Sequence, residues 1–296
     1  MPIKFPCPKC KKKLRDDGEL VGRKARCPHC PAIVVVPTAA VAEQIKRLID
    51  KYNRTDFQMM MFDAATEGYL KVMKWLKKND VKIDERVREG DLESLMPIHI
   101  AVLGGHESVV EWLLDEDENL VNAPSKNLVN APSKSGTPMH HAAATGQDGM
   151  MKLLKRRKGN VNGEADNGMK PIHFAATRDK KKSLECLVEE LGVSVNERAG
   201  NGMTPLHVAT MYNSTESIKY LVEDPDTDVN AGDAVFGKPP LFLAASLDQI
   251  EGMKCLYKFC TDLNRELNPG LQALKRFAEA GNWTRVIRWL DEKGIQ

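Results

Sequence analysis

Thr204–Thr210 reads TPLHVAT, and the phrase does not stand alone. MPIHIA (96–101), TPMHHAA (137–143), KPIHFAA (170–176) and PPLFLAA (239–245) vary the same pattern. Their prolines, Pro97, Pro138, Pro171, Pro205 and Pro240, lie 41, 33, 34 and 35 residues apart. Only the first interval is out of line, and it contains an octapeptide written twice, NLVNAPSK at 119–126 and again at 127–134. Removing one copy returns an interval of 33, so the doubled eight is an insertion in a period of about 33. A second marker, Val-Asn (Leu-Asn in the last case), falls at Asn122 or Asn130, then Asn162, Asn196, Asn230 and Asn264, with the same period. Two independent markers sharing one period define a repeat.

Each repeat has a physical logic. Proline supplies the fixed φ of a helix's first turn and sacrifices no needed hydrogen bond. Thr137 and Thr204 stand where a side chain caps that turn from outside. Paired alanines (142–143, 175–176, 244–245) let neighbouring helices approach closely. A second helix follows with an apolar stripe, such as Val109, Val110, Leu113 and Leu114, or Leu184, Leu187 and Val188. Asn167-Gly168 and Asn201-Gly202 then predict two-residue β-hairpin turns. This helix–helix–hairpin unit resembles the ankyrin repeat, whose T-P-L-H-x-A signature is complete at Thr204–Ala209. Met96, Lys170 and Pro239 in place of Thr, and Phe242 in place of His, depart from it; each predicts a lost cap or local hydrogen bond.

Residues 59–80 and 271–294 copy the two-helix pattern without the opening phrase and are expected to be end units, which a stacked array requires because an end repeat has one neighbour. Counting both, seven units are expected. Residues 38–55 carry Val41, Ile45, Leu48, Ile49 and Tyr52 at helical spacing and predict a linker helix docked on the first end unit. The expected layout is a zinc module over 1–37, a linker helix over 38–55 and an ankyrin-like array over 56–296, a mostly α solenoid preceded by a small β ribbon.

The module at the start rests on CPKC and CPHC, which set Cys7, Cys10, Cys27 and Cys30 in two C-x2-C pairs sixteen residues apart. Each pair turns two sulfurs toward one ion, and two pairs close a tetrahedral four-thiolate shell suited to structural Zn2+. Residues 1–37 are too few to bury a stabilising core, so metal binding and folding are expected to be one event. Ala32–Val36 reads as a strand returning to the knuckles. FPCPKCKKKLR and VGRKARCPHCPAIVVVP resemble the bacterial zinc ribbon. Where such knuckles usually have Gly after the second Cys, this chain has Lys11 and Pro31. Proline cannot take a positive φ, so the second turn must be built differently. His29 is a spare donor beside a shell that four cysteines already fill.

Across 296 residues the net charge is +2, but residues 1–37 hold nine Lys/Arg against three carboxylates and leave the remainder at −4. The basic ribbon therefore supports a second reading, contact with DNA or RNA, although Phe5 is the single aromatic there for base stacking. No stretch has the length of a signal core or of a membrane span, and the seven cysteines are odd in number, so a reducing, cytoplasmic setting is expected.

His99, His140, His173 and His207 recur at one register. Spaced about a helix diameter, ~10 Å, they cannot share an ion and are expected to bond around their own turns. His141 breaks the pattern and reads as a partly buried structural residue. Arg156 and Arg157 align with Asp115 and Glu116 before them and with Glu189 and Glu190 after them, predicting a basic rung between two acidic ones. Cys186 and Cys255 share a helical slot and read as small core residues. No phosphate loop, nucleophile elbow or paired metal histidines occur, so no enzyme and no small-molecule substrate is expected. The expectation is a module that binds a protein partner through hairpin tips and inner helices, with Lys134, Ser135, Asn167, Asn201, Phe236 and Lys238 as candidate contacts and Phe236 the anchor.

Overall fold

The computed structural model describes residues 2–53, 55–86, 94–118, 133, 136–235, 237–262 and 271–295. The octapeptide pair apart from Ser133, together with Lys134, Ser135, Phe236 and Asn264, falls outside them. The chain divides into two compact units, Met1–Lys134 and Ser135–Gln296.

The first unit opens with two antiparallel pairs. β1 (Ile3–Pro6) pairs with β2 (Lys13–Asp16) in the register Phe5 to Leu14, and β3 (Lys24–Arg26) pairs with β4 (Ile33–Val35) in the register Ala25 to Val34. Helix α1 (Ala39–Tyr52) follows, capped by the Thr38 hydroxyl accepting from the Val41 N–H at 3.3 Å. It ends where Asn53 turns left-handed with φ 48°. α1 packs on the next two helices, α2 (Phe57–Thr66) and α3 (Leu70–Lys78), and the Lys51 ammonium and Tyr52 hydroxyl both donate to Glu67, at 2.6 and 2.7 Å. α4 (Pro97–Leu103) and α5 (Glu107–Glu118) form the next helical pair.

The second unit continues with α6 (Pro138–Thr145) and α7 (Asp148–Arg156), α8 (Pro171–Thr177) and α9 (Lys181–Glu185), α10 (Pro205–Met211) and α11 (Thr215–Glu223), α12 (Pro240–Ser246) and α13 (Ile250–Asp262), and α14 (Leu271–Ala280) and α15 (Thr284–Glu292). Seven helical pairs stand among the described residues, and in all five pairs that open on the repeated phrase proline leads the first helix after an extended N-cap residue. In the fifth, α12, that N-cap residue is itself a proline, Pro239. α6 packs on α8, α8 on α10 and α10 on α12, so first helices lie side by side in sequence order within this unit. The alanine pairs are buried at these contacts.

α9 passes directly into a π-helical turn, Cys186–Glu190, in which the Leu191 N–H reaches the Cys186 carbonyl at 3.0 Å. Pro171 and Pro205 are 34 residues apart where Pro138 and Pro171 are 33, and the widened turn takes up the additional residue.

The expected two-residue hairpin turns are corrected. The Gly168 N–H bonds to the Ala165 carbonyl at 2.8 Å and the Ala165 N–H to the Met169 carbonyl at 2.9 Å, which encloses three residues, and Ala199–Met203 repeats the pattern. Asn167 and Asn201 are absent from the left-handed region, whereas Gly168 and Gly202 occupy it with φ 71° and 76°. A two-residue type I′ turn needs positive φ at both central residues. Each Asn carboxamide instead accepts from the N–H two residues on, Met169 at 3.0 Å and Met203 at 3.2 Å, which holds it in an Asx turn. β-Strands among the described residues are confined to the first 37.

Candidate metal centre and repeat surface

The two C-x2-C turns bring their sulfurs together: all four Sγ atoms lie within 4.8 Å of one another. Cys7 to Cys30 and Cys10 to Cys27 are each 3.8 Å. Four sulfurs bound to one zinc at about 2.3 Å stand about 3.8 Å apart along the tetrahedron's edges, so the cluster fits that ion and is far from the ~2.05 Å of a disulfide. The knuckles share one frame: the Cys7 N–H reaches the Lys12 carbonyl and the Cys27 N–H the Ala32 carbonyl, both at 2.9 Å. The first turn adds a Lys11 N–H to Cys7 carbonyl bond with Lys11 at φ 61°; Pro31 has no N–H to repeat it, and the His29 N–H points to the Cys27 sulfur at 3.4 Å instead. Burial pushes the Cys7 thiol up to about 12, whereas Cys27, which burial also raises, is drawn down to about 7 by the His29 N–H and the neighbouring thiols. Four thiolates cannot share so small a space without a cation among them.

The repeat histidines do more than close their own turns. Nδ1 of His140, His173 and His207 accepts the backbone N–H of Thr137, Lys170 and Thr204 at 3.0–3.1 Å. An accepting Nδ1 places the proton on Nε2, which donates into the following repeat: to the Met169, Met203 and Lys238 carbonyls at 3.0, 3.0 and 2.9 Å. Burial lowers all three, His140 and His173 to about 4. His141 is likewise buried. Tips are joined as well, the Gly200 N–H to the Gly168 carbonyl and the Ala234 N–H to the Asn201 carbonyl, each at 3.1 Å. At the inter-helix turns, Asp179 and Asn213 cap the second helix of the next repeat, accepting from the Ser217 N–H at 2.8 Å and the Gly252 N–H at 2.6 Å.

With joints fixed this way, what each repeat leaves exposed is set by register. The seventh residue after proline is exposed in every repeat: Gly104, Thr145 and Arg178, then Tyr212 (60% exposed) and Leu247 (48%). Phe277 of α14 is 58% exposed and meets Phe242 edge-on at 5.0 Å, with Trp283 on the same ring and the Lys238 ammonium 5.2 Å from its centroid.

The family described as ankyrin repeats (3 copies) matches residues 60–164, 98–199, 143–233 and 179–268, which together run over more than half of the sequence. The chain belongs to the ankyrin-repeat family. It is 29% identical over 167 residues to alpha-latrocrustotoxin-Lt1a of Latrodectus tredecimguttatus, covering 52% of this chain and 11% of the toxin. It is 34% identical over 82 residues to the ankyrin repeat-containing protein ITN1 of Arabidopsis thaliana, covering 28% of this chain and 13% of that protein. The chain thus spans a small part of these relatives. The crystal structure of the human ASB11 ankyrin repeat domain is similar in fold, with a TM-score of 0.51, 24% identity and coverage of 71% of this chain and 87% of that one.

Within the ankyrin frame the candidate contacts separate. Asn167 and Asn201 are exposed, with their carboxamide oxygens held in their own turns. Lys238 is half-buried and lends its carbonyl to His207 and its N–H to Asp233 at 3.2 Å. Lys134, Ser135 and Phe236 lie outside the described residues. On the acidic rungs Glu190 takes Lys152 at 2.7 Å, Glu189 accepts from the Tyr220 hydroxyl at 3.2 Å, and Glu116 takes Lys77 and the Trp112 indole. Tyr212 and Leu247 escaped the sequence reading. Their signal is present there, as large apolar residues at a register held elsewhere by Gly, Thr and Arg. Among the described residues no helix is long and apolar enough to cross a membrane.

Proposed function

We propose that this ankyrin-repeat chain is a protein-binding adaptor, with zinc held structurally by Cys7, Cys10, Cys27 and Cys30. Ankyrin repeats imply a protein–protein interaction module, and one observation carries the reading to a surface: Tyr212 and Leu247 stand exposed at equivalent registers of adjacent repeats whose joints are fixed by hydrogen bonds. A surface already ordered loses little freedom on binding, and large exposed apolar or aromatic side chains are the usual anchors. The zinc assignment is supported by the tetrahedral spacing of the four sulfurs. None of the seven cysteines is in a disulfide, in keeping with a cytoplasmic setting. The alternative reading, nucleic-acid contact by the ribbon, loses support because Phe5 is buried against Trp75 and offers no stacking face.

The test is capture of partners by the full chain and by a Tyr212→Ala/Leu247→Ala variant. Exposed substitutions should shift stability by no more than about 0.5 kcal/mol, so unchanged melting with at least about tenfold weaker capture is expected. Equal capture by both proteins would remove this face from the reading. For the alternative, binding of an oligonucleotide that weakens steeply with salt would reinstate it.

A further inference from the structure

The ribbon is not a free appendage of the first unit. Alternate residues of an antiparallel pair turn their N–H and C=O away from the partner strand, and on β4 Val35 is one of them. Its N–H donates to Asn79 Oδ1 at 2.9 Å and its carbonyl accepts the Trp75 indole N–H at 2.7 Å. Trp75 of α3 and Asn79, the residue that caps its C-terminus, are four residues apart and so share a face; the Asn79 amide in turn donates to the Trp75 carbonyl at 2.9 Å. Two side chains of a repeat helix thus stand in for the strand that β4 lacks. Phe5 of β1 meets the Trp75 ring edge-on at 6.3 Å and Phe57 of α2 meets it at 5.9 Å. Trp75 is left 4% exposed and Asn79 8%.

We infer that the four-cysteine module is the metal-dependent cap of the first helical pair: α1, α3 and the ribbon order as one cooperative piece, and metal loading governs it. This rests on the zinc reading above. A module of this size has too small a core to hold its fold without the metal. When it opens, Val35 leaves the edge it shares with α3, and the Trp75 N–H and Asn79 Oδ1 lose their partners along with the Phe5 contact. Buried polar groups stripped of partners loosen the element that carries them. Linkage runs both ways, so docking on α3 must also tighten metal binding, although the side chains of Trp75 and Asn79 bond to Val35 and to each other rather than to a cysteine.

The experiment uses the full chain. Its zinc content is measured first, then amide exchange over 39–52 and 70–78 with and without a chelator, then zinc affinity by competition in Asn79→Ala and Trp75→Phe. Chelation is expected to speed exchange in 70–78 at least about tenfold while 205–262 keeps its rate. Asn79→Ala is expected to weaken zinc binding about tenfold, and Trp75→Phe, which keeps the ring and removes the N–H, in the same direction. If Asn79→Ala does not fold, the milder Trp75→Phe carries the comparison. One zinc per chain with exchange in 70–78 indifferent to its removal, or with both variants at parental affinity, overturns the inference. A chain that takes up no zinc overturns the metal reading and the cap together, and the first measurement tells these failures apart.

Discussion

At three joints of the second unit a single imidazole is wired in one tautomer, with Nδ1 accepting inside its own repeat and Nε2–H donating into the next. Only the neutral form can do this, because a proton on Nδ1 would face a backbone N–H. His207→Phe keeps a ring of a kind that Phe242 shows the register tolerates, but it leaves the Thr204 N–H and the Lys238 carbonyl without their partner. The expected loss is about 1–3 kcal/mol, read from urea unfolding, and a loss under about 0.5 kcal/mol would mean the bond adds nothing. The histidines were legible as a register from the sequence, and their bonding to the local turn with them. Their second bond was not, since its acceptor is a backbone carbonyl about thirty residues on and carries no side-chain signature. At Lys170, where threonine is replaced, the backbone N–H still reaches His173 and the ammonium pairs with Glu197 at 2.6 Å, so the substitution changes the joint without emptying it.

Between elements, distance of approach decides. A Cβ placed on Gly252 of α13 would stand 2.1 Å from the Thr210 carbonyl oxygen at the end of α10 and 2.9 Å from Asn213 Oδ1. Backbone cannot step aside as a side chain tip does, so Gly252→Ala is expected to cost about 1–3 kcal/mol or more, measured by thermal or urea unfolding. A neutral result would show that the two helices have room to slide. Asp179→Ala strips the cap from α11 and is expected to cost about 1 kcal/mol; no change would mean water replaces the carboxylate. Helix order, the leading prolines and the buried alanine pairs follow from local pattern and were readable. The three-residue turns were misjudged because Asn-Gly serves two turn types, and the bond from the Asn carboxamide to the N–H two residues on selects between them. The π-helical turn was invisible because a 34-residue interval does not say where its additional residue is placed.

Taken across the second unit, the joints share one sensitivity to acid. His140 and His173 are held by burial at about 4 against an ordinary 6.5, and His207 is lowered as well. An unfolded chain takes these protons near pH 6.5 and the folded one does not, so their stabilisation is complete above about 6.5 and is lost as pH falls from there to about 4. Urea midpoints measured from pH 7.5 to 4.5 are expected to fall more steeply for the parent than for His207→Phe, and parallel curves would contradict this. The repeat architecture was legible because periodicity is a property of the whole string. The docking of the ribbon on α3 was not, because Trp75 and Asn79 look like ordinary members of an amphipathic helix until Val35 is set beside them. The joints have one more consequence. Met169, Met203 and Lys238 receive the imidazole equally well, since the atom received is one that every amino acid owns. Fitting one module to the next therefore asks nothing of the newcomer's side chain at that point. Such a molecule can be lengthened by copying an interior segment, as one adds a link to a chain with standard couplings, and the new neighbours will fasten without being retailored.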